Sequence, residues 1–343
     1  MSGTAAVRGR AAIALFVAAS LASAAVVTTG GGCGESARAE DASLASWQDG
    51  AARSAIESFV ARTTNPSSPD FLPGRERIAV FDNDGTLWAE QPAYVQLAFI
   101  VDRVRAMEGA HPEWASTEPF ASVLRGDMRA VAAQGERGIA ALVAATHGGM
   151  TPDEFRRSVR AWLATARHPG TGRRYLDMAY RPMLEMLAYL RAHGYRTFVV
   201  SGGGVDFVRA FAEELYGIPG DQVIGSTARL RHEVRDGVPV VVKTGEIEFV
   251  DDGAGKPVSI ESRIGARPRM AFGNSDGDFE MLAWTTAGDG PRMGVIVRHT
   301  DAEREWAYDR ESSVGRLARA LDEAPARGWI VVDMARDWIR VWP

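Results

Sequence analysis

Two carboxylates stand two residues apart where an apolar run ends, in Val80-Phe81-Asp82-Asn83-Asp84-Gly85-Thr86-Leu87-Trp88. An Asn-Asp-Gly cluster often marks no more than a turn, since these residues tolerate the backbone angles and bond their own main chain. Two further apolar runs end in comparable polar turns, Val199-Val200-Ser201-Gly202-Gly203-Gly204 and Ala271-Phe272-Gly273-Asn274-Ser275-Asp276-Gly277-Asp278. Ser201 ahead of its glycines reads by itself as a helix cap after a tight turn. Jointly, and with Lys256 between the second and third turns, they form a different inventory. A carboxylate pair, a hydroxyl with free backbone N–H groups, an ammonium and a second acidic cluster are the parts needed to hold a divalent cation and a phosphoryl group.

For the turns to meet, the runs before them must be neighbouring strands. Residues 77–81, 196–200, 269–272, 293–297 and 329–333 are short apolar runs of the kind expected for strands buried on both faces. Residues 238–243 and 246–250 flank Thr244-Gly245 and suggest a β-hairpin. Leu44, Trp47, Ala51, Ala55, Ser58 and Phe59 recur at three- and four-residue spacings and predict an amphipathic helix, broken over 66–74. A helix over 182–193 is expected to stop at Gly194. Residues 88–180 carry helical periodicity and almost no strand-like runs, with Thr151-Pro152-Asp153-Glu154 as a capped helix start. The expectation is an α/β protein: a three-layer, Rossmann-like, mostly parallel sheet built from 44–87 and 181–343, with 88–180 inserted as a helical cap. Ligands gather beyond the carboxyl ends of strands in such sheets, and there the three turns would open.

A chain of 343 residues, 46% hydrophobic, can bury a large core. Its net charge of −5 leaves no basic surplus, so nucleic acid is excluded as an expected partner. Lys243 and Lys256 are the only lysines amid plentiful arginine. A lysine kept against that bias suits a place needing a compact ammonium on a flexible stem. At the N-terminus, Arg8 and Arg10 precede an Ala/Val/Leu stretch and then small residues, the order of a secretory signal. Cys33, the single cysteine, resembles a bacterial lipoprotein processing site, although Gly30 stands where Leu is usual. Cleavage after Ala24 is the soluble alternative, and an uncleaved anchor the third. Residues 1–33 are thus expected to be a leader and 34–43 a linker, in an exported, periplasmic or envelope protein whose membrane contact is an N-terminal lipid anchor at most.

The order Asp-x-Asp-Gly-Thr at 82–86, strand-Ser at 201, Lys256, then Gly-Asn-Ser-Asp-Gly-Asp at 273–278 resembles the haloacid dehalogenase superfamily, in its phosphoserine-phosphatase-like branch, over roughly residues 77–297. The resemblance implies a magnesium-dependent phosphomonoester hydrolase that works through an aspartyl-phosphate on a small phosphorylated metabolite. In it Asp82 is the nucleophile, and Asp84 the acid that protonates the leaving oxygen and then accepts a proton from water. Residues two apart on an extended segment point the same way, and a carboxylate beside another ionised one holds its proton more tightly, which agrees with that division. Ser201 and the N–H groups of Gly202 and Gly203 would bind phosphate oxygens, helped by the positive end of the following helix. Lys256 would balance charge; Lys243, in an apolar run, is expected at a hairpin with its head in water. Glu90 resembles the acid that faces a substrate amino group, with a solvated helix-start glutamate as the plainer reading.

The third turn departs from the family pattern. Where relatives carry a metal-binding Asp, this chain has Asn274, so the expected Mg2+ ligands are Asp82, Asp84, Asn274, Asp276 and Asp278, with the choice between Asn274 and Asp276 open. Asp278 also fits the family acid that orients metal-bound water or the lysine. A calcium loop at Asn274–Asp278 is disfavoured because Phe279 stands where that loop needs Gly. A phosphotransferase or mutase with the same intermediate, or a catalytically silent envelope protein keeping the fold for binding, are the competing readings. Trp88, Tyr94, Trp114, Trp162, Tyr175 and Tyr180 read either as cap core or as an aromatic cage for a cationic head.

Overall fold

The computed structural model describes residues 43–343, so the leader, Cys33 and nearly all of the linker lie outside the described residues. Its framework is an eight-stranded sheet. The strands are β1 (Ile78–Phe81), β2 (Arg196–Gly204), β3 (Val223–Arg235), β4 (Val238–Phe249), β5 (Met270–Gly273), β6 (Met293–Thr300), β7 (Ala307–Tyr308) and β8 (Ile330–Asp333). Their order is β4-β3-β2-β1-β5-β6-β7, with β8 also paired to β6. Pairing is parallel throughout β3-β2-β1-β5-β6-β8 and antiparallel for β3-β4 and β6-β7. This is the mostly parallel α/β sheet that the apolar runs predicted.

Helices cover both faces, which is why the central strands are apolar on both sides. All of Ile78–Phe81 is buried, and so is all of Met270–Gly273. On one face Ala79, Phe81, Val199, Phe272 and Val295 join the larger core; on the other, Ile78, Val80, Phe198, Ala271 and Ile296 form a second one. Phe81 stacks on Phe272 with ring centroids 4.3 Å apart. That contact, typically about 0.5–1.5 kcal/mol beyond area burial, aligns the ends of β1 and β5.

The N-terminal helix is Ala51–Thr64, shorter than the apolar spacing suggested. Leu44 and Trp47 are buried ahead of it, and Trp47 forms an isolated bridge with Trp338. Between β1 and β2 the chain makes the expected helical excursion, with helices Val95–Met107, Phe120–Arg125, Met128–Ala133, Gly135–His147 and Pro152–Leu163. The last begins in a full capping box, Thr151 with Glu154, and Pro152. Helix Arg181–Ala192 leads into β2, with Gly194 at φ +77°. The rings of Trp114, Tyr175 and Tyr180 are buried; Trp162 stacks on Tyr175 and Trp114 on Phe120, so most of the aromatic set is core rather than a cage.

The hairpin differs from expectation. β3 and β4 are single long strands joined at Asp236-Gly237, both with positive φ (52° and 79°), the geometry that Asp-Gly favours in two-residue turns. Thr244-Gly245 lies inside β4 instead, near a register shift, and a methyl group at Gly245 would fall 3.1 Å from Ala144 Cα of the cap. The cap and hairpin also share main-chain bonds, Gly149 N–H to Lys243 C=O and Lys243 N–H to Met150 C=O, each 2.8 Å. Lys243 is not in water. It is buried, pairs with Asp206 just after the serine turn, and lies 5.1 Å from the Phe155 ring centroid; Arg156 of the cap holds the other Asp206 oxygen at 2.9 Å. Among the described residues no helix is long and apolar enough to cross a membrane.

Candidate active site

Asp82 is fixed by its strand: its N–H donates to the Phe272 carbonyl at 2.9 Å, so the first residue beyond β1 is still tied to β5. The chain then turns sharply. Leu87 N–H donates to Asn83 C=O and Gly85 N–H to Trp88 C=O, both at 2.8 Å. Gly85 has φ +76°, and a methyl group there would sit 2.1 Å from Asn274 Nδ2, so both conformation and space require glycine. The turn aims Asp84 back along the site, where its Oδ1 accepts the Trp88 indole N–H at 2.8 Å.

Lys256, in helix Gly255–Ile264, joins the three strand ends. Its Nζ donates to Asp82 Oδ1 at 2.6 Å, Asp278 Oδ1 at 2.7 Å and the Val200 carbonyl, next to Ser201, at 3.1 Å. Lys256 is 2% exposed and Asp278 fully buried. Burial disfavours the ammonium, but the Asp278 and Asp82 charges outweigh it and hold Lys256 protonated. The preference for Lys256 over Lys243 agrees with this geometry.

The serine turn borders the same space. Ser201 Oγ accepts the Gly203 N–H at 3.0 Å, and a methyl group at Gly203 would lie 3.2 Å from Ser201 Oγ and 3.9 Å from Asp84 Oδ2. The Gly204 N–H donates to Gln96 Oε1 of the cap at 2.7 Å. The helix that follows, Val205–Arg209, is only five residues long, less of a dipole than expected. Gly202 borders Asp252, whose Cβ and Cγ would lie 3.8 Å from an added methyl group.

The third turn sorts its acids into different tasks. Asp276 was expected as a metal ligand, but its Oδ1 accepts the Ala318 and Ala320 N–H groups at 3.0 and 2.9 Å, at the start of helix Arg319–Arg327. That oxygen caps the helix start. Asp278 is not free to ligate either: Oδ1 takes Lys256, and Oδ2 accepts the N–H groups of Asn274 (2.9 Å) and Ser275 (3.1 Å). Its task is to hold the lysine and the loop. Asn274 accepts the Thr86 hydroxyl at 3.0 Å through Oδ1 and donates to Glu90 Oε1 at 2.7 Å through Nδ2.

Glu90 is packed among protein groups rather than solvated. It is 2% exposed, its Oε1 also accepts the Tyr308 hydroxyl at 2.7 Å, and a methyl group at Gly315 would fall 1.8 Å from that oxygen. Behind it His299 reaches the Gly85 carbonyl at 2.8 Å and Glu305 at 3.1 Å, and Tyr180 donates to Glu305 at 2.9 Å. Sequence reasoning missed Gln96, Tyr308, His299 and Glu305. No local spacing marks them, because each meets the motif only through the fold.

Burial pushes the Asp82 carboxyl well above the usual range, the Asp278 charge adding to this and Lys256 opposing it. Asp84, which keeps some exposure, is also raised, mainly by burial, with the Trp88 bond acting against it. Burial raises Glu90 strongly, the hydrogen bonds it accepts from Tyr308 and Asn274 act against this, and Asp84 and Asp82 add to it. Asp82 and Asp278 thus share one ammonium with Asp84 close by, and desolvation raises the proton affinity of Asp82 and Asp84. Among the described residues no three His, Cys, Asp or Glu side chains converge as a metal cluster. The oxygen-only donors, Asp82 with the amide oxygen of Asn274 and with Asp84, together with that surplus of acid, fit a hard divalent cation rather than a soft one.

A model of the haloacid dehalogenase-like hydrolase family matches residues 79–283, and the chain belongs to that family. Similar solved structures include a protein of unknown function from Bordetella pertussis Tohama I, 16% identical, covering 76% of this chain and 99% of that one, TM-score 0.47. Another is a conserved functionally unknown protein from Anaerococcus prevotii DSM 20548, 16% identical over 72% and 85% of the two chains, TM-score 0.47. A probable phosphoserine phosphatase from Vibrio cholerae is 16% identical over 67% and 58%, TM-score 0.35. No curated protein matches.

Proposed function

We propose that the chain is a phosphomonoester hydrolase with Asp82 as nucleophile and Asp84 as acid and base. The observation that carries this reading is the Lys256 ammonium, within 3.1 Å of Asp82, Asp278 and the residue before Ser201. One cation gathers the ends of three strands around one carboxylate, and Asp82 keeps Oδ2 for phosphorus. That oxygen bonds to phosphorus as the ester P–O bond breaks, and Asp84 gives its proton to the leaving alcohol oxygen. Water then adds to phosphorus, Asp84 takes its proton, and the bond from phosphorus to Asp82 breaks to release phosphate. A raised proton affinity suits Asp84 to the first of these steps. Ser201 and the adjacent backbone orient the phosphate oxygens, and Lys256 balances their charge.

Bound magnesium would supply positive charge between the anionic nucleophile and the anionic ester, held by Asp82 and Asn274 with Asp84 beside them. The basic, apolar and small residues in order over 8–33 support placing this activity outside the cytoplasm. The test is release of phosphate from p-nitrophenyl phosphate with and without magnesium. Asp82→Asn is expected to lose on the order of 10³-fold or more in kcat, as for other removed nucleophiles. An undiminished Asp82→Asn rate would remove the nucleophile from this account.

A further inference from the structure

Asn274 sits where this family's pattern expects a carboxylate, and the residue it touches is a buried carboxylate. Glu90 Oε1 lies 2.7 Å from Asn274 Nδ2, and the same oxygen accepts Tyr308 Oη–H at 2.7 Å. Oε1 is the acceptor in both bonds, so it fixes which end of the amide faces it. The Nδ2 end turns to Glu90 and Oδ1 turns to the Thr86 hydroxyl, 3.0 Å away on the turn that carries Asp82 and Asp84. Gly315 packs directly against Glu90 Oε1 and tolerates no side chain there.

We propose that Glu90 and Asn274 act as one split ligand: Asn274 brings the oxygen, and Glu90, without touching the cation, brings the orientation and, ionised once the cation is beside it, the negative charge. Glu90 is a positioning residue, and the segment bearing Tyr308 and Gly315, beyond the family-matched residues 79–283, is part of the site because it seats Glu90. The arrangement also gives a reason for the amide. An aspartate at 274 would put two carboxylates at hydrogen-bond distance in a buried space, which is strongly unfavourable. Exchanging the two chemistries relieves that conflict. In the double variant Glu90→Gln/Asn274→Asp, the new amide at 90 can donate one N–H to the carboxylate at 274 and the other to the Tyr308 oxygen, so both bonds persist with reversed polarity.

The experiment is a double-mutant cycle read by thermal unfolding of the full chain, first in chelator and then across a magnesium titration. Asn274→Asp alone is expected to lower Tm in chelator by about 5 °C or more, and the double variant to regain most of that loss. Glu90→Gln alone is expected to leave Tm nearly unchanged but to raise the magnesium midpoint about ten-fold, the low end of what partners of metal ligands contribute. The double variant, with its charge restored at 274, should return within about three-fold of the wild-type midpoint. If Asn274→Asp does not fold while the double variant does, the rescue is already shown. Additive Tm losses, an unfolded double variant, or a Glu90→Gln midpoint equal to wild type would each overturn the proposal. The magnesium arm rests on the phosphatase reading, whereas the chelator arm does not. A protein that passes the cycle but never releases phosphate refutes the function and leaves the pairing intact.

Discussion

Replacing Lys256 by Met tests whether one buried ammonium assembles the site. Lys256 Nζ is 2.6 Å from Asp82 and 2.7 Å from Asp278. At an effective dielectric near 20, a pair at that separation attracts by about 6 kcal/mol, much of it offset by taking the charges out of water. Methionine keeps the aliphatic volume, so the change removes charge and three hydrogen bonds rather than packing. What remains is two buried carboxylates facing each other, a defect that in other proteins costs about 3–5 kcal/mol. For a chain this long that corresponds to a Tm lowered by about 10 °C. Chemistry should suffer further. Lys256 is the influence that draws the Asp82 proton affinity down against burial and Asp278, so its loss raises that affinity again and protonates the nucleophile over a wider pH range. Urea unfolding at pH 7.5 measures the first effect and p-nitrophenyl phosphate turnover the second. A Lys256→Met protein within about 1 kcal/mol of wild type would refute the reasoning, because a buried pair cannot be broken so cheaply.

Asp251, buried and bonded to Ser259 at 2.6 Å, is pushed up to about 6 by burial. A carboxyl raised in the folded state binds more protons than in the unfolded state, so its share of stability is retained at low pH and lost as pH rises from about 4 through 6. Asp251→Asn should therefore flatten the fall of Tm over that window, and a profile parallel to wild type would contradict the assignment. Gly85→Ala should abolish turnover, since φ +76° and the 2.1 Å approach to Asn274 Nδ2 leave no room for a methyl group. Steady-state kinetics beside a folded circular dichroism spectrum check this, and retained activity would mean that the turn can open.

The central strands were legible because burial on both faces writes itself as short unbroken apolar runs, and the turns beyond them because glycine and acids cannot be hidden there. Ser201, Lys256 and Asp82 converge as that reading requires. The hairpin was misplaced because Thr244-Gly245 looks like a turn, while its glycine serves a close approach to Ala144 and the turn belongs to Asp236-Gly237. Lys243 looked solvated since its partner Asp206 lies 37 positions away, and no periodicity reports a buried ion pair. Asp276 and Asp278 share a motif, yet one caps a helix and the other holds a lysine; composition sees two acids, and only direction separates them. Glu90 and Tyr308 are 218 positions apart, so their contact exists only in the folded sheet.

Asp206 receives a guanidinium from one excursion of the chain and an ammonium from another, two residues after the glycine turn that would grip phosphate. Both arms therefore end on one buried carboxylate, and that shared anchor yokes them. A displacement of one arm is thus felt by the other and by the short helix that bears Asp206, next door to the glycines of the second turn.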